Sequence, residues 1–186
     1  LGIMCRNNGV VLSIDNYPPT SYSMYYNRKE QAAVADYVIT MAYDEHYAGS
    51  KEAGPVSSLN YVKESTENTL KEVPAKQTII ALPFYSRLWK ETTKDGKVKL
   101  SSEAYGMHTA KENMTDAGAK FGWNDESGMN YAEYTKEGVV YKMWLEDQTS
   151  LELKMKEVSD RQTAGYAFWK LGLEDSAVWD MIIKYM

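Results

Sequence analysis

Cysteine is almost missing from this chain of 186 residues: Cys5 is its one thiol, so no internal disulfide can staple the fold. A single thiol fits a cytosolic protein and a disulfide-free secreted protein equally. Long apolar runs are missing too. Nothing approaches the roughly 18 consecutive apolar residues of a membrane-crossing helix, and no membrane partner is expected. The first residues do not read as a signal peptide, and a start at Leu1 rather than Met is expected of an excised piece or a processed product. Basic clusters are absent: groupings such as Arg28-Lys29 are short, and a net charge of -5 gives no reason to expect nucleic acid. His46 and His108 have no metal-ligand spacing with each other or with a carboxylate cluster, so no metal and no other cofactor is expected.

Phenylalanine is scarce as well, and here the absence points to what is present. Fifteen Tyr and five Trp stand against three Phe, a skew toward rings with polar handles that suit wet, amphipathic surfaces. Carbohydrate sites use such rings, because sugar C–H faces stack on them while hydroxyls seek hydrogen bonds. The competing reading is a tyrosine-rich fold with ordinary half-buried rings. With 44% hydrophobic residues the chain has enough apolar material for one globular core.

The stretch Asp36 to Asp44, DYVITMAYD, is the most telling. An apolar, β-branched run from Tyr37 to Met41 reads as a central parallel strand buried on both faces. It ends in Tyr43-Asp44, followed by polar and small residues. A phenol and a carboxylate at the C-terminal tip of such a strand sit where α/β barrels place their chemistry. Burial does not explain Asp44, since an unpaired buried carboxylate is costly; the alternative is that Asp44 caps the next turn.

Around this strand the chain alternates. Leu1 to Asn8 reads as the end of a helix stopped by Asn7-Asn8-Gly9, and Val10 to Ile14 as a short strand followed by a polar loop from Asp15 to Pro19. Asn27 caps a helix to Asp36. Ser57 or Ser58 caps another, running to about Glu72 with Leu59, Val62, Thr66 and Leu70 on one face, and Pro74 ends it. Thr78 to Leu82 is a third strand, with Pro83 to Trp89 leaving its tip. The rhythm then breaks. Lys90 to Asp147 reads as an α+β insertion, with a turn at Lys94-Asp95-Gly96-Lys97 and a helix from Ser102 to Met114. Strands around Met129 to Tyr134 and Val139 to Trp144 follow, joined by Lys136-Glu137-Gly138. A helix from Ser150 to Arg161, a strand from Ala164 to Phe168 with Trp169 at its tip, and a helix from Ser176 to the end resume the pattern. Strand-helix alternation with short connections argues for parallel βα units and an α/β fold. A closed barrel needs eight strands and about 250 residues; four strands make about half of one.

Four motifs in this order carry a resemblance. MAYD at Met41 to Asp44, LPFYSRLW at Leu82 to Trp89, VYKMWLEDQTSLELKMKEV at Val140 to Val158 and GYAFWKLGLED at Gly165 to Asp175 resemble glycoside hydrolase family 18, the chitinase-like (β/α)8 enzymes. The likeness is to its bacterial branch of spore-cortex and spore-germination hydrolases. It implies the C-terminal half of a TIM barrel, with four parallel βα units and an α+β insertion. Residues 1–89 and 148–186 would be βα units and 90–147 the insertion. It also implies a glycosidase acting on N-acetylglucosamine-containing polysaccharide, peptidoglycan or chitin, by substrate-assisted retaining hydrolysis. The location it implies is extracellular, at the cell surface or in the spore envelope.

By the same resemblance Tyr43 and Asp44 are the catalytic residues, holding the acetamido group, while Met41, Tyr85, Arg87 and Trp169 bind substrate. Trp169 would be the floor under the reacting sugar, and Arg87 would donate to sugar hydroxyls or pair with Asp44. Met41 and Trp169 also read as plain packing, and Trp89, Trp123 and Trp144 as either groove or packing. Asp15, Asn16 and Tyr17 would rim the same pocket. Glu174-Asp175 reads as a cap of the last helix, and Glu45 has no support in the family pattern. The family's proton donor, a Glu ending a D-x-x-D-x-D-x-E strand, has no counterpart in this sequence, so this chain alone is expected to be inactive. A non-catalytic glycan-binding module is the alternative. Expected partners are an N-acetylated polysaccharide and, because open sheet edges invite pairing, either the missing N-terminal half or a second copy.

Overall fold

The computed structural model describes residues 1–94 and 96–186. In chain order its elements are α1 (Gly2–Asn7), β1 (Ser13–Asn16), α2 (Arg28–Val34), β2 (Tyr37–Met41), α3 (Leu59–Leu70), β3 (Thr78–Pro83), β4 (Tyr85–Lys94) and β5 (Lys97–Gly106). There follow α4 (Met107–Asp116), β6 (Lys120–Asn124), β7 (Met129–Lys136), β8 (Val139–Leu145), α5 (Gln148–Ser159), β9 (Gly165–Trp169) and α6 (Val178–Ile182). Two sheets result: a four-stranded sheet ordered β1-β2-β3-β9, with every pairing parallel, and a five-stranded antiparallel sheet ordered β5-β4-β8-β7-β6. The fold is mixed α/β, a partial barrel.

Strand alternation sorts the parallel sheet into two faces. Val38 and Thr40 of β2, and Ile80 and Leu82 of β3, are fully buried toward the helices. Thr40 Oγ1 lies 2.9 Å from Thr69 Oγ1 of α3, and Ile80 and Leu82 pack with Val62, Met155, Val158, Met181 and Ile182. The register then puts Asp15, Ile39 and Met41 together on the opposite face. By the same alternation Ala81, Pro83, Ala167 and Trp169 lie there too. The buried cluster that joins this sheet to its helices lies on the first face, and among the described residues β1 and β9 each pair on one side only.

The antiparallel sheet has its own core. Leu88, Ala132, Met143 and Leu145 face α4, whose Ala110 and Met114 fill the space between. A buried ion pair, Glu146 with Lys154, joins the end of β8 to α5 with both side chains out of solvent. Ser150 Oγ donates to the same carboxylate at 2.7 Å, and the Glu146 N–H donates to Ser86 Oγ of β4 at 2.7 Å.

Several boundaries differ from the sequence reading. The first strand starts at Ser13, not Val10. Gly9 takes a left-handed φ of 65° and the Val10 N–H turns back to the Cys5 carbonyl at 2.9 Å, leaving Val10 and Val11 exposed. Asp15 and Asn16 belong to that strand, not to a loop, and the Asn16 amide bonds Gln31 of α2. Tyr85 to Trp89 opens a long strand, and Ser102 to Gly106, read as helix, is strand because each residue there pairs with β4. The helix begins at Met107, where burial of Met107, Ala110 and Met114 takes helical spacing. The strand Lys120–Asn124 went unpredicted, since KFGWN has neither an apolar run nor clean alternation. The last helix is short, closing in a 3-10 turn at Ile183–Tyr185. The turn expected at Lys94-Asp95-Gly96-Lys97 falls partly on Asp95, outside the described residues; its flanks Lys94 and Lys97 pair.

Candidate active site

The tip of β2 is where the side chains converge. The Ala42 N–H still bonds the Ala81 carbonyl of β3 at 2.9 Å, continuing the ladder, while the Tyr43 N–H reaches back to the Met41 carbonyl at 2.9 Å. The chain turns sharply there, and Asp44 takes a φ of 57°. That left-handed conformation is uncommon outside glycine, although Asp tolerates it better than most residues. The return is pinned by Glu45. Its N–H bonds the Val56 carbonyl, and its carboxylate accepts from the Ser58 N–H at 2.7 Å and the Ser58 hydroxyl at 3.1 Å. Glu45 is thus committed to the start of α3, where Ser58 is the cap.

Asp44 does not cap a turn. Its Oδ1 accepts from the Tyr85 hydroxyl at 2.6 Å, a short charge-assisted bond. Tyr85 opens β4 beside the tip of β3 and is buried; burial, together with the Asp44 carboxylate, pushes its phenol well above the ordinary tyrosine value. The Tyr43 ring meets the Tyr85 ring edge-on at 6.4 Å. Burial, with the nearby Asp15 and Asp44 carboxylates, raises the Tyr43 phenol to about 12. Both phenols therefore remain neutral hydrogen-bond donors throughout the physiological range.

Arg87 departs from the reading that pairs it with Asp44. Two residues past Tyr85 on β4, its guanidinium donates to Ser102 Oγ of β5 at 3.2 Å, and Tyr85 takes the carboxylate. Met41 is half-buried on the open face. Trp169 is 54% exposed at the tip of β9, in register with Pro83 of β3, and its carbonyl accepts from the Phe84 N–H at 2.8 Å. Strand β3 alone separates β2 from β9, so Trp169 stands about 10 Å across the sheet from the β2 tip, at the same C-terminal edge.

Residues 6–174 match the sequence profile described as Glycosyl hydrolases family 18. The chain belongs to this family. It is 30% identical over 142 residues, 76% of its length, to YdhD of Bacillus subtilis, whose name assigns it provisionally as a sporulation-specific glycosylase. It is 22% identical over 95% of its length to a cortical fragment-lytic enzyme of Bacillus anthracis. Among solved structures, a chitinase from Chromobacterium violaceum superimposes with a TM-score of 0.87 at 20% identity, over 99% of this chain and 58% of that one. The spore cortex-lytic enzyme SleL of Bacillus megaterium gives 0.85 at 20% identity, over 100% of this chain and 43% of that one. The chain covers 33% of YdhD and 42% of the B. anthracis enzyme, less than half of each relative's length.

The remaining candidates of this family 18 chain divide between site and scaffold. Asp15 projects on the open face near Tyr43, whereas Asn16 points to the helices. Trp89 is scaffold, fully buried with its indole N–H on the Gly54 carbonyl at 2.8 Å. Trp144 packs on Tyr131, their ring centroids 4.9 Å apart, and Trp123 is exposed on β6 at the far edge of its sheet. Asp175 accepts from the Ala177 N–H at 3.0 Å ahead of α6, and Glu174 accepts from Gly172 instead. His46 bonds the Pro55 carbonyl and His108 pairs with Glu112. Among the described residues no group of His, Cys, Asp and Glu could hold a metal ion. Of the loop after β1 the sequence reading named Tyr17 alone, and it overlooked Tyr22, Tyr25, Tyr26 and the buried Arg28. The loop's signal was there in the density of rings: Tyr17, Tyr22, Tyr25 and Tyr26 within ten residues.

Proposed function

We propose that the protein containing this chain is a glycosidase cleaving β-1,4 bonds beside N-acetylglucosamine in peptidoglycan or chitin, and that this chain supplies the half of the site that holds the acetamido group. The observation that carries this reading is the Tyr85–Asp44 bond with Tyr43 against it, at the same sheet edge as the exposed Trp169. In a substrate-assisted reaction the acetamido oxygen of the sugar attacks its own anomeric carbon. A positioned internal nucleophile has a very high effective concentration, so the protein's task is to hold that group still. The Tyr43 hydroxyl donates to the acetamido oxygen. Asp44, itself held by Tyr85, accepts from the acetamido N–H and supports the positive charge growing on the oxazolinium ring. Trp169 carries the apolar face of the sugar, Met41 walls the pocket beneath, and Arg87 reaches sugar hydroxyls. A plant class V chitinase similar in fold is described in complex with (GlcNAc)3, a ligand of the kind this reading requires.

The proton donor comes from outside this chain, on further βα units that cover the open face of the parallel sheet. Residues 90–147 are then an insertion between barrel units, and a wall or spore-envelope substrate places the protein outside the cytoplasm. The test is hydrolysis of a chromogenic N-acetylglucosamine oligomer. The intact protein turns it over and this chain alone does not; turnover by the chain alone, abolished in Glu45→Gln, would overturn the assignment. The second reading is a glycan-binding module without hydrolysis. It holds if the corresponding strand of the intact protein ends in Gln or Leu where the family has Glu.

A further inference from the structure

Strand pairing gathers lysines that the sequence disperses. The register of the antiparallel sheet sets residues in rows across the strands, and every second row points to the same face. On the face that carries Leu88 and its core under α4, the next row sets Lys90 between Tyr141 and Ser101, with Tyr134 beyond. The row after it is Lys136, Val139, Thr92 and Lys99, and the last is Lys94 opposite Lys97. Lys94, Lys97, Lys99 and Lys136 thus share one face at one end of the sheet, and all four are exposed.

Lysine on an edge strand guards against edge pairing. That accounts for Lys97 and Lys99 of β5, but not for Lys94 of β4 or Lys136 of β7, strands flanked on both sides. Among the described residues no ion pair reaches these four, whereas Lys90 and Lys142 of the same sheet pair with Glu103 and Glu91. The whole chain carries a charge of -5. Even counting Asp95 and Glu137, their neighbours in sequence, the four lysines leave this end of the sheet positive, a local reversal of charge that attracts anions.

We infer that this face is an interaction surface for a linear, flexible polyanion, a phosphodiester-linked polyol chain. Lys97 and Lys99 stand two residues apart on one strand, about 7 Å. A chain of single bonds covers about 7 Å in six bonds, which is the separation of phosphates bridged by a three-carbon polyol. An ammonium meets phosphate oxygens as a point charge from any direction, which suits a partner without fixed shape. Thr92, Ser101 and the Tyr141 phenol offer hydroxyls on the same face for those of the polyol. A nucleic acid has a similar charge spacing but needs free ring faces for its bases. Tyr134 and Tyr141 stack on each other, centroids 4.5 Å apart and planes 2° from parallel, and so spend those faces. This surface lies in the second sheet and does not depend on the reading of Tyr43 and Asp44.

Fluorescence titration of the intact protein with labelled poly(glycerol phosphate), over a series of salt concentrations, tests this. The quadruple variant Lys94→Gln, Lys97→Gln, Lys99→Gln, Lys136→Gln is expected to bind about tenfold more weakly than the wild type, with a flatter dependence of log K on log salt. A second quadruple variant, Lys29→Gln, Lys63→Gln, Lys76→Gln, Lys156→Gln, removes the same charge from exposed positions outside this sheet and is expected to bind as the wild type does. No binding by the wild type at low salt overturns the surface, and so do equal losses in the two variants. Single-stranded DNA or polyglutamate bound as tightly as poly(glycerol phosphate) overturns the polyol chain as its partner.

Discussion

The two sheets of this chain solve the problem of burial differently. The antiparallel sheet closes its own core, with Leu88, Met143 and Leu145 under α4. The parallel sheet packs the face that carries Ile80 and Leu82 against its helices, and leaves Met41, Asp15 and Trp169 half-buried or exposed on the opposite face. Parallel sheets are ordinarily covered on both faces. The difference teaches where each kind of residue belongs: the self-contained sheet holds scaffold, and the half-covered sheet puts its unpaired chemistry at one edge. On our reading that exposure is the face of a barrel interior, completed by further βα units.

The largest expected effect comes from breaking the joint between the two sheets. Lys154→Ala leaves Glu146 buried without its partner, and is expected to cost about 3–5 kcal/mol of stability in denaturant unfolding. A smaller loss there would mean that the sheets do not depend on this pair. Amide hydrogen exchange sharpens the contrast next. In this chain β1 and β9 are expected to exchange faster than β4 and β8, and to become protected in the presence of the further βα units that we propose. Equal protection of all four strands would remove the distinction.

Tyr85→Phe probes the seam where β4 leaves the parallel sheet. It removes the hydroxyl that holds Asp44 and is expected to lower stability by about 1 kcal/mol. The proposed mechanism adds a fall in kcat of the intact protein, larger than the change in KM, because the bond positions a group that acts on the reacting acetamido. The smallest effect is in pH. The Tyr43 phenol is raised to about 12 by burial and by Asp15 and Asp44, so the folded chain holds that proton more tightly than the unfolded one. Stability from this group is complete below about pH 10 and is lost as pH rises toward 12. Urea midpoints should fall across that interval, less steeply in Tyr43→Phe.

Much of the parallel sheet was legible because its strands are short β-branched runs bounded by clear caps. Tyr37–Met41 lies where the pattern put it, and Asn27 and Ser58 cap as expected. The second sheet was less legible. Lys97 to Gly106 has polar residues on both faces, so its strand character comes from pairing with β4 and not from its own pattern. In the site, Tyr43 and Asp44 stood out as polar residues ending an apolar run. The partner of Asp44 did not, because Tyr85 is 41 residues away and only the crossing from β3 to β4 brings it there. Pairing with Asp44 was one of two roles open to Arg87, yet its place two residues further along β4 delivers it to Ser102. The tyrosine loop showed in the sequence only as a density of rings; the buried Arg28 that bonds it did not show, because Arg28 opens a helix segment that reads as surface.

The most direct measurement is a crystal structure of the intact protein with an N-acetylglucosamine trimer bound. The account predicts an acetamido oxygen within hydrogen-bonding distance of the Tyr43 hydroxyl, its N–H on Asp44, and the sugar ring resting on Trp169. A trimer bound without contact to Tyr43, Asp44 or Trp169 would contradict it.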